Sequence, residues 1–340
     1  MRNYVCKRNK RMSSIKDVAK LAGVSVATVS RVINDKGKVK EKTRDAIEQA
    51  MIQLSYHPNA MAQSLVKSNR SKIIAVFFMS PYLPFFSELI FYIEEALSEK
   101  GYKLLLLTSY MDEVKERKCV ELVNSHLVDG LIIGSYPLIE DMLLKLPLPC
   151  VTVETALSDK IPCVMSDDYQ GGILGTRHLI AKGCRHLALI TGCYDELMEK
   201  RKMHGREQGF AEVCQQAGVE HRMFYSEPEM IRDLDFSVLI NRVFYEYPEV
   251  DGILANSDLV AAEVVRIGVS QGYKVPERLK VVGFDGTKIS RLFNPPLTAV
   301  AQNIKELAVQ TVDTLIAVIE GHPYQWEKVI PVNLVERQST

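Results

Sequence analysis

The chain has 340 residues, of which 47% are hydrophobic, a composition typical of a globular protein of two or three domains. No apolar run approaches the roughly 20 residues of a membrane span, and the basic start lacks the apolar stretch of a secretory signal, so we expect a cytoplasmic protein without membrane contact. Residues 1–72 carry 16 Lys and Arg against 5 Asp and Glu, whereas residues 73–340 carry 26 against 37, which indicates a polyanion-binding head on an acidic body.

Residues 1–12 form a basic extension that we expect to be disordered, and either Met1 or Met12 can be the true start. Seven cysteines are scattered without a CxxC pair, which predicts free thiols in a reducing compartment rather than disulfides or a zinc site. The histidines show no ligand pairing, and no phosphate-cradling, dinucleotide, hydrolase or metalloprotease motif occurs. We therefore predict neither a metal, nor a cofactor, nor an enzymatic activity.

Residues 13–58 predict a helix-turn-helix head. Ser14 and Asp17 match a capping box, Gly23 supplies the turn, and Ser25 caps a second helix. The N-terminal residues of such a second helix enter the major groove of DNA. The candidate base and phosphate contacts all lie on or next to this helix: Ser25, Val26, Ala27, Thr28, Ser30, Arg31 and Asn34. A third helix over residues 41–56 closes a three-helix core and ends before Pro58.

Residues 59–71 predict a short helix and linker, with the run "NAMAQSLVK" at its start. Two turns lie well below the roughly 12–15 residues that keep an isolated helix folded, so we expect this segment to fold only with a partner. Asn59 can cap the helix, and Ala62 and Leu65 can contact the DNA minor groove, where an apolar side chain unstacks a base step. The alternative is that Leu65 packs against the body.

Residues 72–340 alternate apolar runs such as "KIIAVFFMS", "CVTVE" and "KVVGFDG" with amphipathic stretches, which predicts two doubly wound lobes of parallel sheet. A ligand should bind between the lobes, at the carboxyl ends of the strands. Acidic, hydroxyl, guanidinium and aromatic groups fall at such positions and suit a neutral polyol: Phe85, Phe86, Glu154, Arg206, Phe236, Ser257, Asp258 and Asp285. Helix capping is the alternative for Asp258 and Asp285, and pairing with Glu207 or Glu212 is the alternative for Arg206.

The runs "IKDVAKLAGVSVATVSRVIN" and "VVGFDGTKISRLFNPPLTAVAQN" resemble the LacI/GalR family of bacterial transcriptional regulators, and "SDDYQGG" is similar to its sucrose-operon subgroup. The resemblance implies that residues 59–67 are a hinge helix whose Leu65 enters the minor groove. It implies a periplasmic-binding-protein-like body, with lobe 1 at about 72–165 and 303–330 and lobe 2 at about 166–302 and 331–340. It also implies that Asp285 and Arg206 contact a sugar; Glu154 stands where the family more often has Asp, and Ser257 where it usually has Asn.

The resemblance therefore implies a homodimeric repressor of a carbohydrate-utilisation operon. It would bind palindromic operator DNA and respond to a small sugar or sugar phosphate held between the lobes. Two alternatives are a global carbon-catabolite regulator with a protein co-effector and, in a different class, a sugar-binding module with no role on DNA. The basic head and the lack of an export signal argue against the last of these.

Overall fold

The computed structural model describes residues 13–34, 37–56, 70–110, 112–134, 139–192 and 205–340. The predictions for the extension at 1–12 and for Asn59, Ala62 and Leu65 in the hinge lie outside these residues. The chain divides into two compact units, residues 1–72 and residues 73–340.

The head contains three helices: α1 (Ile15–Leu21), α2 (Val26–Ile33) and α3 (Glu41–Gln53). Helix α1 begins at the predicted capping box, in which Ser14 and Asp17 each bond the other's backbone N–H. Gly23 has φ +68°, the left-handed conformation that a tight turn between two helices requires. Val18, Val29 and Ile47, one from each helix, are fully buried and close the small core.

The body contains two six-stranded sheets of the same strand order. The first runs β11-β5-β4-β3-β1-β2 and the second β12-β10-β9-β8-β6-β7. Every pairing is parallel except β12 with β10, which is antiparallel. The strands of the first sheet are β1 (Ile73–Phe78), β2 (Lys103–Thr108), β3 (Gly130–Gly134), β4 (Cys150–Val153), β5 (Cys163–Ser166) and β11 (Glu327–Ile330). Those of the second are β6 (His186–Thr191), β7 (Glu220–Tyr225), β8 (Gly252–Ala255), β9 (Lys280–Asp285), β10 (Thr298–Ala301) and β12 (Asn333–Val335).

Helices cover both faces of each sheet. The body helices are α4 (Pro84–Glu99), α5 (Glu113–Leu122, extended by a π turn over Val123–Leu127), α6 (Glu140–Leu143), α7 (Asp168–Ala181), α8 (Gly205–Ala217), α9 (Pro228–Asp233), α10 (Ser237–Glu246), α11 (Asp258–Ser270) and α12 (Ile304–Glu320). A 3₁₀ turn spans Lys288–Arg291. Along β1, Ile74 and Val76 pack in the core beneath α4 and α12, whereas Ala75 and Phe77 pack in a second core on the opposite face. Continuous apolar strands thus arise because both faces are buried.

The chain crosses between the two sheets three times. It leaves the first sheet after β5 and enters α7, which packs on the second sheet. It returns after β10 into α12, which packs on α4 and the first sheet, and it crosses again between β11 and β12. Ser166 is the last residue of β5, and Gln302 directly follows β10. Two polar side chains therefore lie where the lobes are joined.

Glycines bring α7 and α8 into close contact. A Cβ on Gly172 would lie 2.3 Å from the carbonyl oxygen of Arg206, and one on Gly209 would lie 2.3 Å from that of Tyr169. Gly171 faces the ring of Phe284 in β9, where a Cβ would lie 2.6 Å from the ring. The run "GGILG" therefore lets α7 lie against both a strand and a helix, and it determines where Arg206 stands.

The predicted fold class is confirmed: a helix-turn-helix head precedes a body of two doubly wound sheets. Within the described residues, no helix combines the length and apolar character needed to cross a membrane.

Candidate functional site

The start of α2 presents small side chains. Val26 is 39% exposed, and Ala27 and Arg31 are exposed as well. A short apolar pair followed by an arginine suits thymine methyl groups and a guanine edge or phosphate in a major groove. These three side chains have the surface that the predicted DNA contacts require.

The other four DNA contacts predicted for the head bond within or next to α2. Ser25 Oγ accepts the N–H of Thr28, and the two hydroxyl oxygens lie 2.9 Å apart. Asn34 is buried at the C-terminus of α2, where its side-chain amide donates to the backbone oxygen of Ser30 at 2.9 Å. The structure uses these polar groups to shape the ends of α2, and a role on DNA stays a prediction for them.

In the body, two acidic residues occupy equivalent positions in the two lobes. Glu154 follows β4 and has φ +61°; Asp285 ends β9 and has φ +90°. The strands β4 and β9 hold the same place in their sheets. Non-glycine residues with positive φ are uncommon and are enriched at binding sites, because the surrounding structure must hold them there. Both carboxylates were predicted as sugar contacts.

These acids are linked by Ser166 and Gln302 in what we call the acid–amide network. Glu154 Oε1 lies 2.8 Å from Ser166 N and 2.9 Å from Ser166 Oγ. Ser166 Oγ lies 2.6 Å from Gln302 Oε1, and Gln302 Nε2 donates to Asp285 Oδ1 at 2.7 Å. The network runs from lobe 1 to lobe 2 through two of the three crossings.

The network requires that one of its two carboxyl groups, Glu154 or Asp285, carries a proton. The hydroxyl of Ser166 has a single hydrogen, yet its oxygen approaches acceptors on both Glu154 and Gln302. With the Gln302 amide in this orientation, a proton on Glu154 can be donated to Ser166 Oγ, which completes the network. If the oxygen and nitrogen of that amide are exchanged, the amide oxygen faces Asp285, and the proton must lie on Asp285 instead. Burial, with Asp168 nearby, raises the pKa of Glu154 to about 7. Burial and the neighbouring Asp258 also raise the pKa of Asp285 well above its usual range.

Arg206 stands beside these acids. Its Nε donates to Asp168 Oδ1 at 2.9 Å, an Nη donates to the carbonyl of Asn256 at 2.8 Å, and its guanidinium carbon lies 3.5 Å from the ring centroid of Phe284. Burial disfavours its charge, but Asp168, Asp285 and Glu154 outweigh that effect, and the pKa rises above its usual value. The partner of Arg206 is therefore Asp168 rather than Glu207 or Glu212. A site that combines hydroxyl groups with fixed charges of both signs suits a polyol.

Asp258 and Ser257 hold the neighbouring loop. Ser257 caps α11, as its Oγ accepts the N–H of Val260. Asp258 is 1% exposed, and its Oδ2 accepts both the N–H and the hydroxyl of Thr287 at 2.7 and 2.6 Å. Burial raises the pKa of Asp258 to about 6, although the bonds from Thr287 lower it. These contacts fix the loop after β9, and direct sugar contact stays a prediction.

Of the three predicted aromatic contacts, two are buried in the cores of different lobes and one is half-buried. Phe236 is 3% exposed within the core of lobe 2, and Phe85 is 8% exposed within the core of lobe 1. Phe86 is half-buried at the start of α4, with its ring 5.2 Å from that of Phe78 and 5.3 Å from that of Phe85. Of the three, Phe86 has the greatest free surface for stacking.

Ser166, Gln302, Asp168 and Asn256 were not among the predicted ligand contacts. Ser166 and Gln302 entered the predictions only as the bounds of the first segment of lobe 2. Each follows or ends a buried strand, the same signal that identified Glu154 and Asp285. Asn256 follows β8 in the same way, and its buried side-chain oxygen has no partner among the described residues. Polar residues at the ends of buried strands therefore include further members of the site.

Comparison with known proteins gives the chain two family matches. Residues 14–59 match the model for "Bacterial regulatory proteins, lacI family", and residues 176–340 match a "Periplasmic binding protein-like domain". The sucrose operon repressor of Streptococcus mutans is 35% identical over 329 residues, spanning 96% of this chain and 99% of that protein. The ribose operon repressor of Halalkalibacterium halodurans is 34% identical over 333 residues, spanning 97% of each.

Among solved structures, the Lac repressor dimer bound to operator and the anti-inducer ONPF aligns with a TM-score of 0.78 at 26% identity, covering 97% of this chain and 99% of that one. The match extends over the head, the body and nearly the whole length of each relative. The chain belongs to the LacI family of bacterial regulatory proteins.

Proposed function

We propose that the protein is a sequence-specific DNA-binding repressor of a carbohydrate-utilisation operon, controlled by a small sugar or sugar phosphate bound between its two lobes. One observation carries the proposal: the same chain joins a helix-turn-helix head to a body in which the Arg206 guanidinium stacks on Phe284, next to Asp285 at the end of β9. The names of relatives that regulate sucrose and ribose operons support the carbohydrate class.

On the DNA side, we propose that two heads of a homodimer read the half-sites of a palindrome. Val26, Ala27 and Arg31 would contact the base edges or phosphates, and Ser25, Thr28, Ser30 and Asn34 would hold α2 in shape. The dimer and operator in the Lac repressor structure support this arrangement. On sequence grounds, Asn59, Ala62 and Leu65 would bind the minor groove between the half-sites.

On the effector side, we propose that sugar hydroxyls bind Arg206 and Asp285, with Glu154 joined to Asp285 through Ser166 and Gln302 and with Phe86 available for stacking. A sugar that rearranges the acid–amide network changes a contact joining the lobes, because Ser166 and Gln302 lie at crossings. Coupling between effector and operator would amount to about 1–3 kcal/mol, the usual range for two linked sites. The relatives are repressors, and we propose a regulatory, non-catalytic role in the cytoplasm.

The test is a fluorescence anisotropy titration of the full protein with DNA from upstream of its own gene, repeated with a panel of sugars. We expect nanomolar to micromolar binding to a palindromic site and a change of about fivefold or more with one sugar. Calorimetry with that sugar, with and without operator, must give the same factor, because linkage is reciprocal. Identical sugar affinities in the two titrations would refute the coupling, and turnover of any sugar would refute the non-catalytic role.

A further inference from the structure

Three neighbours fix the orientation of the Arg206 guanidinium. Its Nε donates to Asp168 Oδ1 at 2.9 Å, one Nη donates to the carbonyl of Asn256 at 2.8 Å, and its central carbon lies 3.5 Å from the ring centroid of Phe284. The other Nη has no hydrogen-bond partner among the described residues, and the side chain is 19% exposed. One edge of the guanidinium is therefore available to a ligand, and Asp168 helps to determine which edge that is.

The packing of α7 on α8 holds this ion pair in place. Asp168 is the first residue of α7, and Arg206 is the second residue of α8. A Cβ on Gly205 would lie 2.9 Å from the backbone nitrogen of Tyr169 and 3.1 Å from the Cβ of Asp168, so the two helices begin side by side only because residue 205 is glycine. Both partners of the ion pair are thus anchored on helices whose backbones touch.

The two positive features beside this edge already have acidic partners. Asp168 pairs with Arg206, and Asp167 caps α7 by accepting the N–H of Gln170 at 2.9 Å. The N-terminus of a helix attracts anions because its first N–H groups and the helix dipole carry partial positive charge. At α7 two aspartates occupy that end. An arriving anion therefore has to compete with carboxylates that are already in place.

The acid–amide network adds negative charge to the same site. It contains two carboxyl groups, Glu154 and Asp285, and its hydrogen bonds require one proton, so one carboxylate remains. Arg206 and Asp168 cancel each other, and the net formal charge of these four groups is therefore about −1. Because Asp285 is 7% exposed, its charge is only weakly screened by water. Without the Asp168 carboxylate, the same groups would be neutral overall.

Hydrogen-bond chemistry favours the same class of ligand. With the network proton on Glu154, Asp285 is a carboxylate that only accepts hydrogen bonds, and one of its oxygens is already bonded by Gln302. A sugar hydroxyl can accept from Arg206 and donate to Asp285. A phosphate ester near neutral pH offers acceptor oxygens and nearly two negative charges, so it can bond Arg206 but is repelled by Asp285.

We propose that Asp168 determines the specificity of the effector site. By pairing with Arg206 it orients the guanidinium toward sugar hydroxyls and supplies the negative charge that makes the site reject phosphorylated sugars. The inference rests on the proposed function and deepens it, because it gives a role to a residue outside the predicted contacts and narrows the effector to an uncharged sugar. Asp168 acts through Arg206 as a positioning residue, so its effect should appear in selectivity rather than in binding alone.

The experiment is calorimetry on the full protein near neutral pH with two pairs of ligands: sucrose with sucrose 6-phosphate, and ribose with ribose 5-phosphate. In the pair whose neutral sugar binds, we expect the phosphate ester to bind about tenfold more weakly or worse. Asp168→Asn keeps an oxygen that can accept the Arg206 Nε–H but removes the charge. The ratio of the two affinities should therefore shift about tenfold or more toward the phosphate ester, while the affinity for the neutral sugar changes less than about threefold.

A second variant separates charge from position. Asp168→Glu keeps the negative charge but lengthens the side chain by one methylene, which displaces the Arg206 guanidinium. We expect it to keep the rejection of the phosphate ester while weakening the neutral sugar about fivefold or more. Asp233→Asn is the matched control, because Asp233 accepts from the Nε of Arg232 at the same 2.9 Å on the exposed end of α9. It should leave both affinities unaltered.

Operator binding by each variant, measured by anisotropy, shows that the variant is folded. A phosphate ester that binds the unaltered protein as tightly as its neutral sugar would overturn the inference. An unchanged ratio of affinities in Asp168→Asn would overturn it as well, and in both cases the proposed function stands. If no sugar binds while operator binding is intact, the effector side of the proposed function fails and this inference fails with it.

Discussion

Glu154 and Asp285 are counterparts: each lies at the carboxyl end of the fourth strand of its own lobe, and each has positive φ. Each also bonds the polar residue that ends or directly follows the fifth strand. Ser166 and Gln302 then bond each other at 2.6 Å across the lobe junction. The site is thus built twice, once in each lobe, and joined in the middle. A ligand that binds either acid changes a network that both lobes share.

The shared proton predicts a pH dependence of stability. The folded pKa values of Glu154 and Asp258 are raised to about 7 and about 6, so the folded protein binds these protons more tightly than the unfolded chain does. The stability that these two protons contribute is complete below about pH 4 and is lost as the pH rises through 6 and 7. Glu154→Gln should remove the contribution of Glu154, so that the free energy of unfolding falls less between pH 5 and pH 8, by on the order of 2 kcal/mol. Urea unfolding of ligand-free protein at both pH values measures it.

The control for this prediction is Glu229→Gln, which changes a carboxyl that is exposed on α9. Its stability should follow the pH dependence of the unaltered protein. If Glu154→Gln follows that same dependence, Glu154 is ionised throughout and the proton lies elsewhere.

Arg206→Lys should weaken sugar binding about 10- to 100-fold while leaving the charge in place. Lysine lacks the planar fork that bonds Asp168 and Asn256 at once, and it stacks less well on Phe284. Calorimetry with the sugar found in the anisotropy screen measures the loss. Arg266→Lys, at an exposed ion pair with Glu263, serves as the control and should bind as the parent does. An unaltered affinity in Arg206→Lys would place the sugar elsewhere.

Gly172→Ala should destabilise the body by about 1–3 kcal/mol, because its Cβ would meet the Arg206 carbonyl and push α8 away from α7. Since that movement displaces Arg206, sugar affinity should fall as well. Gly192→Ala is the control, because its Cβ meets no atom of the described residues within 4 Å. Chemical unfolding of the two variants should separate them clearly, and equal stability would show that the helices can yield.

In the head, Ile47→Ala and Ile52→Ala form a matched pair on α3. Ile47 is fully buried in a small core, whereas Ile52 is 71% exposed. Truncating a buried isoleucine costs about 2–5 kcal/mol, a large share of what so small a core provides. We expect Ile47→Ala to lose operator binding but keep sugar binding, and Ile52→Ala to keep both. Anisotropy and calorimetry on the same samples distinguish the outcomes.

For the hinge, the prediction rests on sequence and resemblance. Leu65→Ala should retain sugar binding and dimerisation but lose most specific operator affinity, since a minor-groove wedge supplies the contacts that bend the DNA. Anisotropy on operator and on random DNA measures specificity, and ultracentrifugation checks the dimer. Retained specificity would make the segment an ordinary linker.

The sequence by itself determined the head, the fold class and the family. Capping at Ser14 and Ser25 and the turn at Gly23 are local signals, because a helix end is specified by a few adjacent residues. The apolar runs of β1, β4 and β9 were equally clear. Short or polar strands such as β5, β7 and β12 were not, since their conformation comes from neighbouring strands rather than from their own pattern.

Only the tertiary structure decided which strand-end side chains act together. The sequence made Phe236 a candidate for stacking on a sugar, yet packing places its side chain in the core. Asp258 turns toward Thr287, whereas Gln302 reaches Asp285 across 17 residues of sequence and Ser166 across 136. One cavity is likewise lined by residues of α4, the 3₁₀ turn and α12 together with Arg337. Such contacts depend on how two sheets meet, and no local pattern encodes a distance between elements far apart in the chain.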